Sequence, residues 1–322
     1  MASCRFNLFD DHRFVGARNL GVAILLGVSL IWLWLPGGIV ESAAEGSSAP
    51  DSFVLGVHRV CPAGPPACDY RTIQAAVDAA GPEDLIKVAA GVYTDVNAYG
   101  SLSQAIYISK SLTIRGGYDT DFKRLLDVTD CQTVVDAGRR GRALYITGDI
   151  SPTIENLCLA GGDAKELGGG QWGYDVGGGV YIDKSTATIS NSRISSNTAQ
   201  DGSGIFLYES DAVLNGNTVV SNITVKFGSG GGVYLYKSNA TIRENSILSN
   251  VAHTDGGGVF LYESTAVLTG NIISFNTISQ NHGGGIRLYY STGTEFYENI
   301  VSHNIARYGG GLSLWESEMI TL

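Results

Sequence analysis

The sequence predicts an all-β fold, a right-handed parallel β-helix in which each coil of about 26 residues holds three short strands. Three observations predict it. A unit opening on a Gly-rich triplet recurs six times from residue 177, with the last glycine of each triplet at 179, 204, 232, 258, 285 and 311. Inside each unit, apolar residues alternate with polar or aromatic ones at the period of a strand. Glycine makes up 43 of 322 residues, about twice its usual ~7% share, while proline is only 7 and charged residues only 16%.

Composition also excludes. With 44% hydrophobic residues the chain has a core to bury and is not disordered. Glycine without a three-residue period or abundant proline is not collagen. A net charge of −10 argues against nucleic acid or anionic lipid as a partner.

From the N-terminus, Arg5, Arg13 and Arg18 precede an uncharged run over 19–40, followed by small residues at Ser42, Ala43 and Ala44. Residues 1–44 therefore read as a secretory signal peptide or, if uncleaved, a signal-anchor transmembrane segment, since such a run is long enough to cross ~30 Å of hydrocarbon. Either way the rest of the chain is exported, secreted or held at the cell surface, and membrane contact is confined to 20–40. Residues 45–60 read as a linker. Cys61 and Cys68 flank a Pro/Gly turn, and an oxidising compartment would pair them in a structural disulfide. Nothing in the sequence brings Cys131 and Cys158 together. Cys158 sits in an apolar strand and is read as a lone buried thiol.

Residues 61–176 read as a capping helix and irregular N-terminal coils. The helix is expected over 70–80, with Ile73, Ala76, Val77 and Ala80 on one face and Gly81-Pro82 ending it, covering the open end of the solenoid. Strands are expected at 85–89, 106–109, 112–115, 133–136, 143–147 and 153–159. Residues 177–322 hold the regular coils. Val180, Ile205, Val233, Val259, Ile286 and Leu312 form one inward column, and Ile182, Leu207, Leu235, Leu261, Leu288 and Leu314 a second. Serines from Ser185 to Ser317 mark the first turn of each unit and asparagines from Asn197 to Asn304 the last; stacked, they can hydrogen-bond along the axis. Leu322 falls inside a strand, which points to a truncated natural product or to a neighbour covering that end.

The string TIQAAVDAA at 72–80, followed by IKVAAGVY at 86–93, resembles the entry segment of pectate-lyase-like β-helix proteins, pectin methylesterases among them. Residues 112–162 are similar to the early coils of bacterial secreted right-handed β-helix repeat proteins. The glycine-triplet strands loosely resemble polymorphic outer-membrane protein repeats. The resemblance spans about 60–322 and implies the fold. It does not imply an activity, because this fold serves lyases, hydrolases, esterases, adhesins and plain surface proteins.

The catalytic strings of those families are poorly matched. Asn281-His282-Gly283 is the one string similar to the Gly-His-Gly of uronide hydrolases, and it lacks their Asp pair. Gly91 to Asp95 carries Asp where pectin methylesterases carry Glu, and their downstream Gln and Asp motifs are missing. A lyase needs a base at the α-proton and usually calcium; Arg287 is the one cation on the first outward column, and no acidic cluster is expected beside it. Asp175, Asp201 and Asp255 precede three of the triplets and read as turn residues, with a calcium site as the alternative; no other cofactor and no metal site is expected. Asn222 and Asn239 match glycosylation acceptors but sit in repeat turns.

Two outward columns of aromatic residues carry the functional expectation. One holds Tyr181, Phe206, Tyr234 and Phe260, then Arg287. The other holds Tyr208, Tyr236, Tyr262, Tyr289 and Trp315. Such a face can stack on sugar rings or on a protein partner, or only on itself. The sequence therefore reads as an exported, non-catalytic module that binds carbohydrate or a surface partner. A polysaccharide lyase or hydrolase is the enzyme alternative, and a purely structural surface rod the third.

Overall fold

Four sharp corners per coil wind the chain into a parallel β-helix of about nine turns. The computed structural model describes residues 55–322 apart from 124, 126–130, 171–172, 319 and 322, so the expected signal or anchor segment lies outside the described residues. Among the described residues no helix is long and apolar enough to cross a membrane.

Each corner of the regular coils turns on one residue with positive φ. Between the first and second strands these are Lys184, Glu209, Lys237, Glu263, Tyr290 and Glu316; between the second and third they include Asn191, Glu244 and Glu298; after the third come Ser196, Ser221, Ser249, Phe275 and His303. Non-glycine residues pay about 1–2 kcal/mol for that conformation. The residue that follows each corner offsets it. Its buried side chain accepts the backbone N–H of its counterpart one coil away, as in Ser210 N to Ser238 Oγ at 3.0 Å and Asn222 N to Asn250 Oδ1 at 3.1 Å. Asparagine adds a second bond, Asn222 Nδ2 to Asn250 Oδ1 at 3.0 Å. A serine ladder and two asparagine ladders result, one of the latter running through Asn217, Asn245, Asn271 and Asn299.

The fourth corner belongs to the first glycine of each triplet. At Gly256 φ is 59°, and a Cβ there would lie 2.5 Å from the Cβ of Phe260, so only glycine fits.

Three sheets follow. Eight parallel first strands run from Leu102–Ile108 and Arg142–Thr147 through Val180–Asp183 to Leu312–Trp315, with Asn97–Tyr99 added antiparallel at one edge. Nine second strands run from Val57–Val60 to Glu295–Tyr297, and eight third strands from Gly91–Tyr93 to Ile300–Ser302. Both inward columns are sealed up to Ile286 and Leu288, while Leu314 in the last described strand is exposed.

The structure adds to and corrects the sequence reading. A fourth ladder of two-residue strands, Thr198–Ala199 to Thr277–Ile278, follows the last-turn asparagines and precedes the segment leading to the next glycine corner. The strand expected over 153–159 breaks at Asn156, whose φ of 56° makes a corner between Thr153–Glu155 and Cys158–Ala160. Val57–Val60, inside the expected linker, pairs with Leu85–Ala89.

The helix is Ile73–Ala79, capped by Thr72 Oγ1 on the N–H of Ala75, and Ile73, Ala76, Val77 and Ala80 join the core as expected. Its Gln74 amide accepts the Tyr107 N–H at 2.7 Å and donates to the Tyr107 carbonyl at 3.2 Å. Part of an open strand edge is thereby closed by a side chain that imitates a peptide.

Cys61 and Cys68 form the expected disulfide. Cys131 and Cys158, read as unpaired, are also bonded to each other. They lie 27 residues apart, about one coil, so the winding places one over the other.

Two outcomes test this account. Asn250→Ala orphans buried amide groups at about 1–3 kcal/mol each, so a clear drop in unfolding free energy is expected in urea titration, larger than for exposed Asn239→Ala. Replacing Cys131 and Cys158 by Ser is expected to cost about 2–4 kcal/mol in the same titration.

Candidate functional site

The outward face of the first-strand sheet splits into two unlike columns. In the first, Tyr145, Tyr181, Phe206, Tyr234 and Phe260 are buried. Their rings meet at mixed angles, such as 76° between Phe206 and Tyr234 and 42° between Tyr234 and Phe260, which is packing rather than a platform. Over Tyr181 the cover is the segment before its triplet, where the Gly169 carbonyl accepts the Tyr181 hydroxyl at 2.8 Å. At one end the cover is tied down by Arg142, whose Nε donates to the Val176 carbonyl at 2.8 Å and whose guanidinium lies over the Tyr181 ring. Tyr181, Phe206, Tyr234 and Phe260 therefore do not reach a ligand.

The second column is a regular stack. Tyr208–Tyr236, Tyr236–Tyr262 and Tyr262–Tyr289 have centroids 5.4, 5.3 and 5.3 Å apart, with planes within 20°, and Trp315 continues it at 6.4 Å. Tyr236 is buried, Tyr208, Tyr262 and Tyr289 are half-exposed, and Trp315 is exposed. Because the faces of successive rings are occupied by one another, the stack offers ring edges and phenol hydroxyls. This corrects the expectation of sugar rings lying flat on the tyrosine faces. Burial pushes the Tyr236 and Tyr262 hydroxyls above the usual phenol range, so they stay protonated at neutral pH. The adjoining corner carries charges paired along the axis, Lys184 with Glu209 at 3.7 Å and Lys237 with Glu263 at 3.6 Å.

Beside Arg287 stand one carboxylate and one imidazole. Its Nε lies 3.9 Å from Asp255 Oδ1, and His282 Nδ1 lies 3.7 Å from the same oxygen. Asp255 and His282 stand 27 residues apart, one coil, which is the signal that could have found them. Of the three aspartates read as turn residues, Asp175 accepts the Gly168 N–H within its own loop, whereas Asp201 and Asp255 accept the Ser229 and His282 N–H groups one coil on. Among the described residues no group of His, Cys, Asp and Glu side chains is arranged to hold a metal. Of the two glycosylation matches, Asn222 is buried in its ladder and Asn239 is exposed.

Desolvation pushes the Asp201 carboxyl up to about 7. A carboxyl with a raised folded pKa contributes stability below its unfolded pKa and loses it as pH rises through the folded one. Wild type is therefore expected to lose stability relative to Asp201→Asn between pH 5 and 8, on the order of a few kcal/mol at about 1.4 per pK unit, measured as paired thermal melts. A constant gap contradicts it.

Residues 178–321 match the family model described as a right-handed β-helix region. No curated protein matches the chain. Among solved structures, pectin methylesterase from carrot aligns at 12% identity and a TM-score of 0.39, covering 83% of this chain and 90% of its own. The pectin methylesterase from Aspergillus niger aligns at 14% identity and a TM-score of 0.30, over 85% and 91%. Neither likeness bears on chemistry. The parallel coils make the fold a parallel β-helix solenoid, and the family match falls on its regular coils.

Proposed function

We propose that the chain is an exported, non-catalytic glycan-binding module whose ligand lies along the solenoid axis against the second aromatic column. The observation that carries this is the stack from Tyr208 to Trp315, which repeats one phenol edge per coil over four coils before the indole. A repeating row of hydroxyl donors beside paired Lys and Glu side chains suits a repeating, hydroxyl-rich polymer. Two disulfides support a working place outside the cytoplasm.

A second reading, a polysaccharide lyase or hydrolase, is favoured by the juxtaposition of Asp255, His282 and Arg287 on the same face. Native affinity electrophoresis through neutral and acidic polysaccharides, with released reducing ends and unsaturated products assayed in the same lanes, separates the two. Retardation without product is expected, and product overturns the non-catalytic reading. Tyr208→Phe, Tyr262→Phe and Tyr289→Phe together delete three hydroxyls at about 0.5–1.5 kcal/mol each, so retardation should weaken by at least about tenfold while the melt is little changed. Unchanged retardation rejects the strip as the site.

A further inference from the structure

The corner between the second and third strands changes along the rod. Asn156, Asn191 and Gly216 make it in three successive coils, and Glu244 makes it in the next. Beside it runs a column of the third-strand sheet, with Cys158, Arg193 and Thr218 in register. Cys131 and Gln132 lead into Thr133–Asp136, and Cys131 is fixed to Cys158 by their disulfide. These residues line a groove of about 150 Å³, with Gly117 and Gly216 contributing bare backbone. A cavity of about that size takes up one benzene ring, so there is room for one six-membered ring.

The polar groups of this groove are not engaged. Among the described residues the side chains of Gln132, Asn156, Asn191 and Arg193 have no hydrogen-bond or ion-pair partner. The ladder asparagines differ, as Asn217 shows: its Nδ2 donates to the Ile189 carbonyl and to Asn245 Oδ1. Gly216 leaves the Asn191 amide its place. Its φ is 63°, and a Cβ there would lie 2.8 Å from Asn191 Oδ1. Arg193 is exposed and is the one ionisable side chain among the described lining residues. Glu155, next to Asn156, is paired with Arg115 on the second-strand sheet.

The residue types decide the chemistry. Three amides offer donors and acceptors together, which suits ring hydroxyls. A guanidinium offers a planar fork of donors that matches a carboxylate, sulfate or phosphate. The net charge of −10 opposes anions at long range, so direct contact with Arg193 has to supply the selectivity.

We propose that this groove is a binding site, separate from the aromatic strip, for a single sugar ring that carries one oxyanion. The amides of Gln132, Asn156 and Asn191 meet the hydroxyls, and Arg193 meets the anion. This holds whether or not the strip binds a polymer.

Equilibrium dialysis of the full chain against glucuronate, glucose 6-sulfate, glucose 6-phosphate and uncharged glucose tests it, with thermal melts of every variant. Saturable binding of at least one charged sugar is expected, tighter than that of glucose, and the one held most tightly names the oxyanion. Arg193→Met should weaken that binding about ten- to hundredfold and leave glucose unchanged, as for hydrogen bonds to a charged group. Asn191→Ala should weaken it about two- to tenfold, as for a neutral hydrogen bond. Both positions are exposed, so their melts should match wild type. The triple Tyr→Phe variant should bind the charged sugar as wild type does. No saturable binding of any charged sugar, or glucose held as tightly, overturns the proposal. So does charged-sugar binding that survives Arg193→Met, or that is lost in the triple variant.

Discussion

Everything on the surface of this solenoid depends on the side-chain ladders behind its corners. Left-handed corners are unfavourable for most residues, and here most of the non-triplet corners in the regular coils are made by residues other than glycine. They hold because the next residue is a buried Ser or Asn bonded to its counterpart one coil away. Those bonds also fix register. An asparagine amide can satisfy its neighbour only when coils superpose residue on residue, so insertions are expelled to segments between ladders, such as Lys226 to Ser229 ahead of Gly230.

Register then determines which residues meet. Tyr262 lies over Tyr236 because Ser264 lies over Ser238. The same constraint stacks Cys131 near Cys158 and Asp255 near His282, each pair 27 residues apart. Function on such a scaffold is a matter of columns. One column packs its rings under cover, a second stacks them face to face and shows their edges, and a few residues that break a column's pattern make a local site.

Much of this was legible in the sequence. Both inward columns, the serine and last-turn asparagine ladders and the helix face followed from period and position, because burial forces identical residues into identical places. Less legible was what depends on the third dimension of the coil. Whether an outward ring is covered depends on the path of the preceding segment, so Phe260 and Tyr262, two residues apart, differ in access although the alternation treats them alike. Ring orientation was not legible either, and it decides whether a tyrosine presents a face or an edge. The Cys131–Cys158 bond and the Asp255–Arg287 pair join residues about a coil apart, a spacing that leaves no local motif in the sequence.

Side-chain oxidation mapping tests most directly the proposed placement of a glycan along the first-strand sheet. Hydroxyl-radical labelling of tyrosines, read by peptide mass spectrometry with and without galactomannan, reports the access of each ring. Protection is expected at Tyr208, Tyr262 and Tyr289, with no change at Tyr297, an exposed tyrosine on the second-strand sheet. Protection that is equal at Tyr297, or confined to it, would contradict the assignment of the binding face.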